Sequence, residues 1–308
     1  MRYPMRAARA LILLAMITLL GVIALLVAML WPASNSEPGL RFSGVSDGGG
    51  YRLVIPGRYT PEQAERLKHL IGARLEEVDE RFSPKRTDSE VSHLARAPFG
   101  EAVPISAGLA GVIGALYAAR ELSGGAYAAL SPTPLSAWWQ PQSPALEWVD
   151  RFVWHPPGPS ALLSFDDRAL PFAPARLAVE RLIGGIGADA LADALDGAGV
   201  ERYRIEVQGT VRVRGGPWPF ALDGADLLSL DQAAVAWAQG ADGTQWLVVA
   251  QRAQAARLTA DILAALDAQS AFALAQRHGW AVRSVNEAGR VRVSSAFDRI
   301  EVEQPTMH

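Results

Sequence analysis

Residues 10–31 read ALILLAMITLLGVIALLVAMLW, without one charged side chain. No other feature constrains the chain so tightly. A run of roughly 20 apolar residues is what a helix needs to cross the hydrocarbon core of a bilayer, at ~1.5 Å of rise per residue. Arg2, Arg6 and Arg9 precede the run with no acid among them; Pro32, Asn35, Ser36 and Glu37 follow it. Positive charge ahead of the run predicts a cytoplasmic N-terminus (1–9), a single transmembrane anchor in the inner membrane (10–31), and all that follows on the periplasmic or extracytoplasmic side. The competing reading is a cleaved signal peptide. Its apolar region is usually only ~7–15 residues long, and residues 28–33 carry no clean small-x-small pattern ahead of Pro32. Nothing later in the chain is as apolar over such a length, so one span is expected.

The chain has 308 residues, enough for a sizeable core after that segment. It contains no cysteine, which excludes disulfides, thiolate metal sites, a cysteine nucleophile and lipid attachment through cysteine. A net charge of −3 without basic clusters argues against nucleic acid as a partner. His69, His93, His155, His278 and His308 show no metal-binding spacing on a helix face and no H-E-x-x-H, and read as surface or structural groups. There is no P-loop.

After a Ser/Pro/Gly/Asn-rich linker (32–47), a domain is expected over 48–303, with a short tail at 304–308. GGGYRLVIPG (48–57) reads as a strand behind a glycine turn. Apolar residues at Leu67, Leu70, Ile71, Leu75 and Val78 fall at helical spacing over 61–82, with Thr60 placed as the cap. A second helix fits 107–122, stopped at Gly124–Gly125. Residues 131–160 read as largely irregular, and 162–167 as a strand. Helices are further predicted over 187–198, 255–266 and 270–278. A hairpin is predicted over 202–215 and strands over 246–251, 280–285 and 290–295. Helices and antiparallel strands mix without βαβ repetition, which is the α+β class.

Three stretches invite chemistry. IGGIGADA (183–190) contains G-x-G-x-x-A with Glu206 roughly 20 residues on, a loose dinucleotide fingerprint for an NAD(P) enzyme. The preceding LAVERLI is not an apolar strand. The alternative is a glycine-rich helix start that lets two backbones pack closely. FSPKRTDSEVSHLARAPFGEAVPIS (82–106) reads as a helix end, a polar turn and a short helix begun by Ser89 or Asp88. ELSGGAYAALSPTPLSAWW (121–139) follows a tight turn with small and aromatic groups and almost no charge. That fits a wall for a flat ring or a plain buried turn, with Trp138 and Trp139 as core filling.

Taken in order, these stretches resemble the FAD:protein FMN transferases, the ApbE family. Residues 81–106 are similar to its S-x-Y-x-x-x-S-E-L-S-x-F-N block, and LSGGAY (122–127) to L-S-G-G-A-F-D. Residues 184–215 resemble G-A-I-A-K-G-Y-A-V-D and the hairpin after it. GGGY (48–51) sits where the family has M-G-T-x-Y, and LTADILAALDA (258–268) where it has A-D-A-L-A-T-A. The resemblance implies an ApbE-like α+β fold behind a membrane anchor. It also implies FAD as substrate or ligand, Mg2+, and FMN transfer to a threonine or serine of a membrane redox protein. It assigns Lys85, Gly125, Ala126 and Tyr127 to the flavin pocket, and Asp261 with the backbone carbonyl of Gly185 to the metal.

The departures fall where that chemistry is carried. The threonine expected four residues after Asp261 is Ala265. The aspartate ahead of G-A-I is Leu182, the lysine within it is Ala188, and the aspartate after Tyr127 is Ala128. Lys85 replaces a tyrosine and Asp47 a methionine. An H-x-x-D-P-x-T-G segment is missing at QGADGTQW (239–246). Mg2+ needs several well-placed oxygens, so its site is doubtful. The expectation is a membrane-anchored flavin transferase-like protein whose active site is too degenerate for ordinary catalysis; the alternative is a non-catalytic flavin-binding or assembly module of a membrane redox system.

Overall fold

Helix α1 (Pro61–Phe82) begins on a reciprocal cap. Thr60 Oγ1 accepts the Gln63 N–H at 3.2 Å, Gln63 Oε1 accepts the Thr60 N–H at 2.8 Å, and Pro61 opens the first turn. Its buried side chains are Leu67, Ile71, Leu75, Val78 and Phe82, a stripe at the spacing of one helix face, together with Asp79. The structure is a computed structural model that describes residues 38–47, 49–96, 103–127, 130–131, 160–161, 176–222, 227–300 and 302–303. The predicted anchor, Ala128, the strand at 162–167 and Trp138–Trp139 lie outside these residues. Among the described residues no helix is long and apolar enough to cross a membrane.

The main sheet has eight strands: β1 (Gly39–Ser46), β2 (Gly49–Pro56), β3 (Tyr203–Val207), β4 (Thr210–Arg214), β7 (Ala233–Gln239), β8 (Gln245–Ala250), β9 (Ala281–Val285) and β10 (Val291–Val293), in that spatial order. Between β4 and β7 run β5 (Trp218–Ala221) and β6 (Leu227–Leu230). They join β11 (Val302–Glu303) in a three-stranded sheet with β6 at its centre. From β2 to β10 every neighbouring pair is antiparallel. The expected α+β class is therefore observed.

Helices α4 (Ile183–Gly197), α5 (Ala253–Ala265) and α6 (Ala268–His278) contribute to the core with α1 on one face of the sheet, against Leu53, Ile55, Tyr203, Ile205, Trp246 and Val248. The small sheet covers the other face through Trp218, Phe220, Leu228 and Leu230, packed on Val211, Val235 and Leu247. A third cluster is mostly helical. It joins the end of α1, α2 (Glu90–Ala95), α3 (Ala107–Leu122) and the start of α4 around Tyr127.

Two differences from the sequence reading bear on the site. Residues 39–46, assigned to the linker, form the edge strand β1, whose exposed and half-buried positions alternate. Helix α4 starts at Ile183, four residues earlier than predicted, so the G-x-G pattern lies inside a helix. With antiparallel neighbours around it, that pattern has no parallel βαβ unit to serve, which removes the basis of the NAD(P) reading.

Candidate functional site

The Ser-Gly-Gly turn is a helix stop. At the end of α3 the Gly125 N–H donates to the Arg120 carbonyl at 2.8 Å, and Gly124 (φ 62) and Gly125 (φ 89) take left-handed conformations that disfavour a side chain. Ser123 Oγ accepts the Tyr127 N–H at 2.9 Å. Gly125 and Ala126 stay exposed, while Tyr127 turns fully inward to the cluster that holds Leu182, Ile183, Ile186 and Ile262. Its hydroxyl has no hydrogen-bond partner among the described residues. Burial pushes this phenol up to about 12; Asp261 adds to the shift, while Arg181 and Arg257 oppose it. Those three charges mark the surroundings of the ring.

Close backbone contact explains the glycines of α4. A Cβ on Gly184 would lie 2.8 Å from the Val207 carbonyl oxygen, and one on Gly185 would lie 2.7 Å from Gln254 Cα. The glycine-rich helix start is thus a packing device, seated between the β3–β4 hairpin and the first turn of α5. The N-cap residue of α5, Arg252, makes no side-chain cap. The buried carboxylate of Asp189, nearly two turns into α4, does it instead. It accepts the N–H groups of Ala253 at 2.9 Å and Gln254 at 3.0 Å, with Arg212 at 3.3 Å and Arg252 at 3.4 Å as counter-charges. Arg252 also grips Asp193 through two hydrogen bonds of 2.7 and 2.9 Å. Together these contacts fix how α5 presents Asp261.

Asp261 is 6 % exposed. Both carboxylate oxygens are taken by one residue, Arg257, a helical turn earlier: Nε reaches Oδ2 at 3.2 Å and Nη2 bonds Oδ1. Arg257 Nη1 donates to the Trp237 carbonyl at 2.9 Å, so the guanidinium is held on two sides. Burial pushes the Asp261 carboxyl above the usual range, against the pull of Arg257 and Arg181. Ala265, the position expected to supply a second oxygen, is exposed at the end of α5. Gly185 sits by Gln254, roughly two turns before Asp261. The chain therefore brings Tyr127 near Asp261 but holds Gly185 at the opposite end of the helix. Among the described residues no group of three His, Asp or Glu side chains is placed to hold a metal.

Lys85 belongs to a different cleft. Its Nζ donates to the Asp47 carbonyl at 2.9 Å, and the Asp47 N–H donates to the Asp79 carboxylate at 2.9 Å. Asp47 and Asp79 line a hollow of 410 Å³ with Tyr51 and Arg86; Lys85 and Arg86 line another of 310 Å³ with Val91 and Arg96. A cavity of 680 Å³ between Tyr59, Arg66, Val200 and Arg202 contains none of the expected residues.

The model of the ApbE family matches residues 50–238. The chain belongs to the ApbE family. Its fold is similar to the apo flavinyl transferase ApbE of Pseudomonas stutzeri, with TM-score 0.70 and 19 % identity over 86 % of this chain and 98 % of that one. The flavin transferase ApbE of Vibrio cholerae matches with TM-score 0.70 and 19 % identity, over 86 % of this chain and all of that one. The ApbE protein of Thermotoga maritima matches with TM-score 0.67 and 17 % identity, again over 86 % and 100 %. A search of curated protein sequences finds no match. At such identities the structural likeness establishes the fold.

In this ApbE-family chain the sequence reading missed Arg257 and Asp189. The first carried a legible signal, since R-L-T-A-D places a cation and an acid four apart on one helix face. The second carried none: Asp189 caps a helix 64 residues away.

Proposed function

We propose that this ApbE-family chain is a membrane-tethered, extracytoplasmic protein that has kept the flavin-transferase fold and lost the FMN-transfer step. It serves a membrane redox system as a flavin-binding or assembly module. One observation carries the reading. Leu182 and Ala188, where the resemblance places an aspartate and a lysine, are both 0 % exposed and packed in apolar clusters. These positions offer a diphosphate neither charge nor a hydrogen bond. Attack by an acceptor hydroxyl on FAD needs the charge on the diphosphate stabilised as the leaving AMP departs. Loss of one such electrostatic group typically costs about 10²–10³ in rate. The uncharged run at 10–31 behind Arg2, Arg6 and Arg9 supports the tether and its orientation.

The test is to titrate the full chain in mild detergent with FAD, following flavin fluorescence and the nucleotides released. Saturable, reversible binding with FAD recovered intact is expected. Mg2+-dependent conversion of FAD to AMP with FMN retained covalently contradicts the proposal. Alkaline phosphatase fused to the C-terminus should be active in cells. An inactive fusion, well expressed, contradicts the orientation.

A further inference from the structure

The resemblance puts a divalent cation on Asp261, and the side chains around Asp261 do not fit one. Mg2+ requires near-octahedral oxygen coordination at about 2.0–2.1 Å. Both oxygens of this carboxylate face the Arg257 guanidinium, which is pinned from its other edge by the Trp237 carbonyl. The next residue on the α5 stripe, Ala265, is exposed and carries no oxygen, and Gly185 lies at the far end of the helix. A metal on Asp261 would have to displace a planar, bidentate, permanently charged partner and then tolerate it nearby. Bidentate guanidinium–carboxylate pairs are the strong ones among ionic contacts.

We propose that Arg257 is the resident counter-cation of Asp261, so that this site is closed to divalent metal and meets a phosphate-bearing ligand with guanidinium groups alone. Arg181 is the second such group. It is exposed on the turn before α4, and its charge reaches both Tyr127 and Asp261. Arg257 and Arg181 against the single carboxylate leave one positive charge. That sign attracts a phosphate and repels a divalent ion. The buried Tyr127 hydroxyl adds a donor with no partner among the described residues. The phosphate half of this proposal rests on the reading of the chain as a flavin-nucleotide protein; the metal half does not.

The two halves separate in one set of measurements on the full chain in detergent. For the metal half, Mn2+ is the probe and its free six-line EPR signal the readout. The wild type and Asp261→Asn should leave the signal equally unchanged. Arg257→Ala should reduce it saturably, and Arg257→Ala/Asp261→Asn should abolish that gain. Arg257→Gln, which is shorter than arginine but keeps a polar side chain and loses the charge, serves if Arg257→Ala does not fold. Saturable Mn2+ binding by the wild type that Asp261→Asn removes overturns the proposal. So does a folded Arg257→Ala and a folded Arg257→Gln that both bind no more Mn2+ than the wild type. For the phosphate half, FAD is the probe, and its affinity should be unchanged between EDTA and millimolar Mg2+. Affinity that requires Mg2+ overturns it. Failure to bind FAD under either condition overturns the phosphate half and the flavin-nucleotide reading together, and leaves the metal half standing on the EPR result.

Discussion

Truncation of Arg257 to alanine should destabilise the fold far more than neutralising its partner. In the wild type Asp261 has a side chain 5 % exposed and Arg257 one 24 % exposed. Removing one member of a buried pair leaves the other charged without compensation, which typically costs about 3–5 kcal/mol. Because Arg257 is a quarter exposed, water reaches part of the vacated space, and about 2–3 kcal/mol is the expected loss for Arg257→Ala. Asp261→Asn leaves a cation that can swing toward solvent, and its loss should be about 1 kcal/mol or less. For a domain of this size such losses translate to about 2–4 °C in Tm per kcal/mol. Replacing both by leucine should come out close to neutral, since well-packed apolar pairs substitute for buried ion pairs without net cost. The pH dependence follows from the raised carboxyl of Asp261. A folded-state value above the unfolded one favours the folded state at pH below the ordinary aspartate range, and that contribution is lost as pH rises through the folded value. Without Arg257 the carboxyl climbs further, so the penalty of Arg257→Ala should shrink as the pH is lowered toward about 4. Urea denaturation followed by tryptophan fluorescence at several pH values reads the whole cycle. Equal losses below about 0.5 kcal/mol for both single variants, independent of pH, would refute the reasoning, because that is what an exposed ion pair gives.

Two further predictions concern the packing that presents this pair. Gly185→Ala should lower stability by about 1–3 kcal/mol, because its Cβ would meet the backbone of Ala253 and Gln254, which cannot yield like a side-chain tip; an unchanged thermal melt would show that α4 and α5 are not in such contact. Tyr127→Phe should be neutral or stabilising by up to about 1 kcal/mol, since it removes a buried hydroxyl without a partner; a loss above about 1 kcal/mol would reveal a hydrogen bond to that oxygen.

Much of the fold was legible in the sequence because its signals are local. Thr60 announces the start of α1, Gly124 and Gly125 the end of α3, and the alternation over 202–215 the β3–β4 hairpin, in whose turn Gln208 and Gly209 both take positive φ. What escaped was set by distant contacts. The strand β7, AAVAWAQ, is rich in alanine and poor in β-branched side chains, yet its first four residues are buried between β4 and β8. The helix predicted over 187–198 starts too late, because Ile183–Ile186 with its two glycines is helical as well. Glycine costs about 1 kcal/mol in a helix relative to alanine, and here that cost is offset by backbone approaches only glycine permits. Of the site, Tyr127 and Asp261 are close enough for the charge of one to act on the other, though they lie far apart in the sequence. The placement of Gly185 at the start of α5, and of Lys85 in a separate cleft, depends on helix packing that no spacing in the sequence reports.

The central claim is that the transferase fold persists here without the transfer. It is tested most directly by incubating the full chain with FAD, Mg2+ and a flavinylatable partner domain. In-gel flavin fluorescence and intact mass of the partner are the readouts. A partner without fluorescence and without added mass is the predicted result, both for the wild type and for Ala265→Thr, which restores one oxygen and leaves Leu182 and Ala188 apolar. A mass increase of one FMN on the partner, dependent on this protein, would contradict the account.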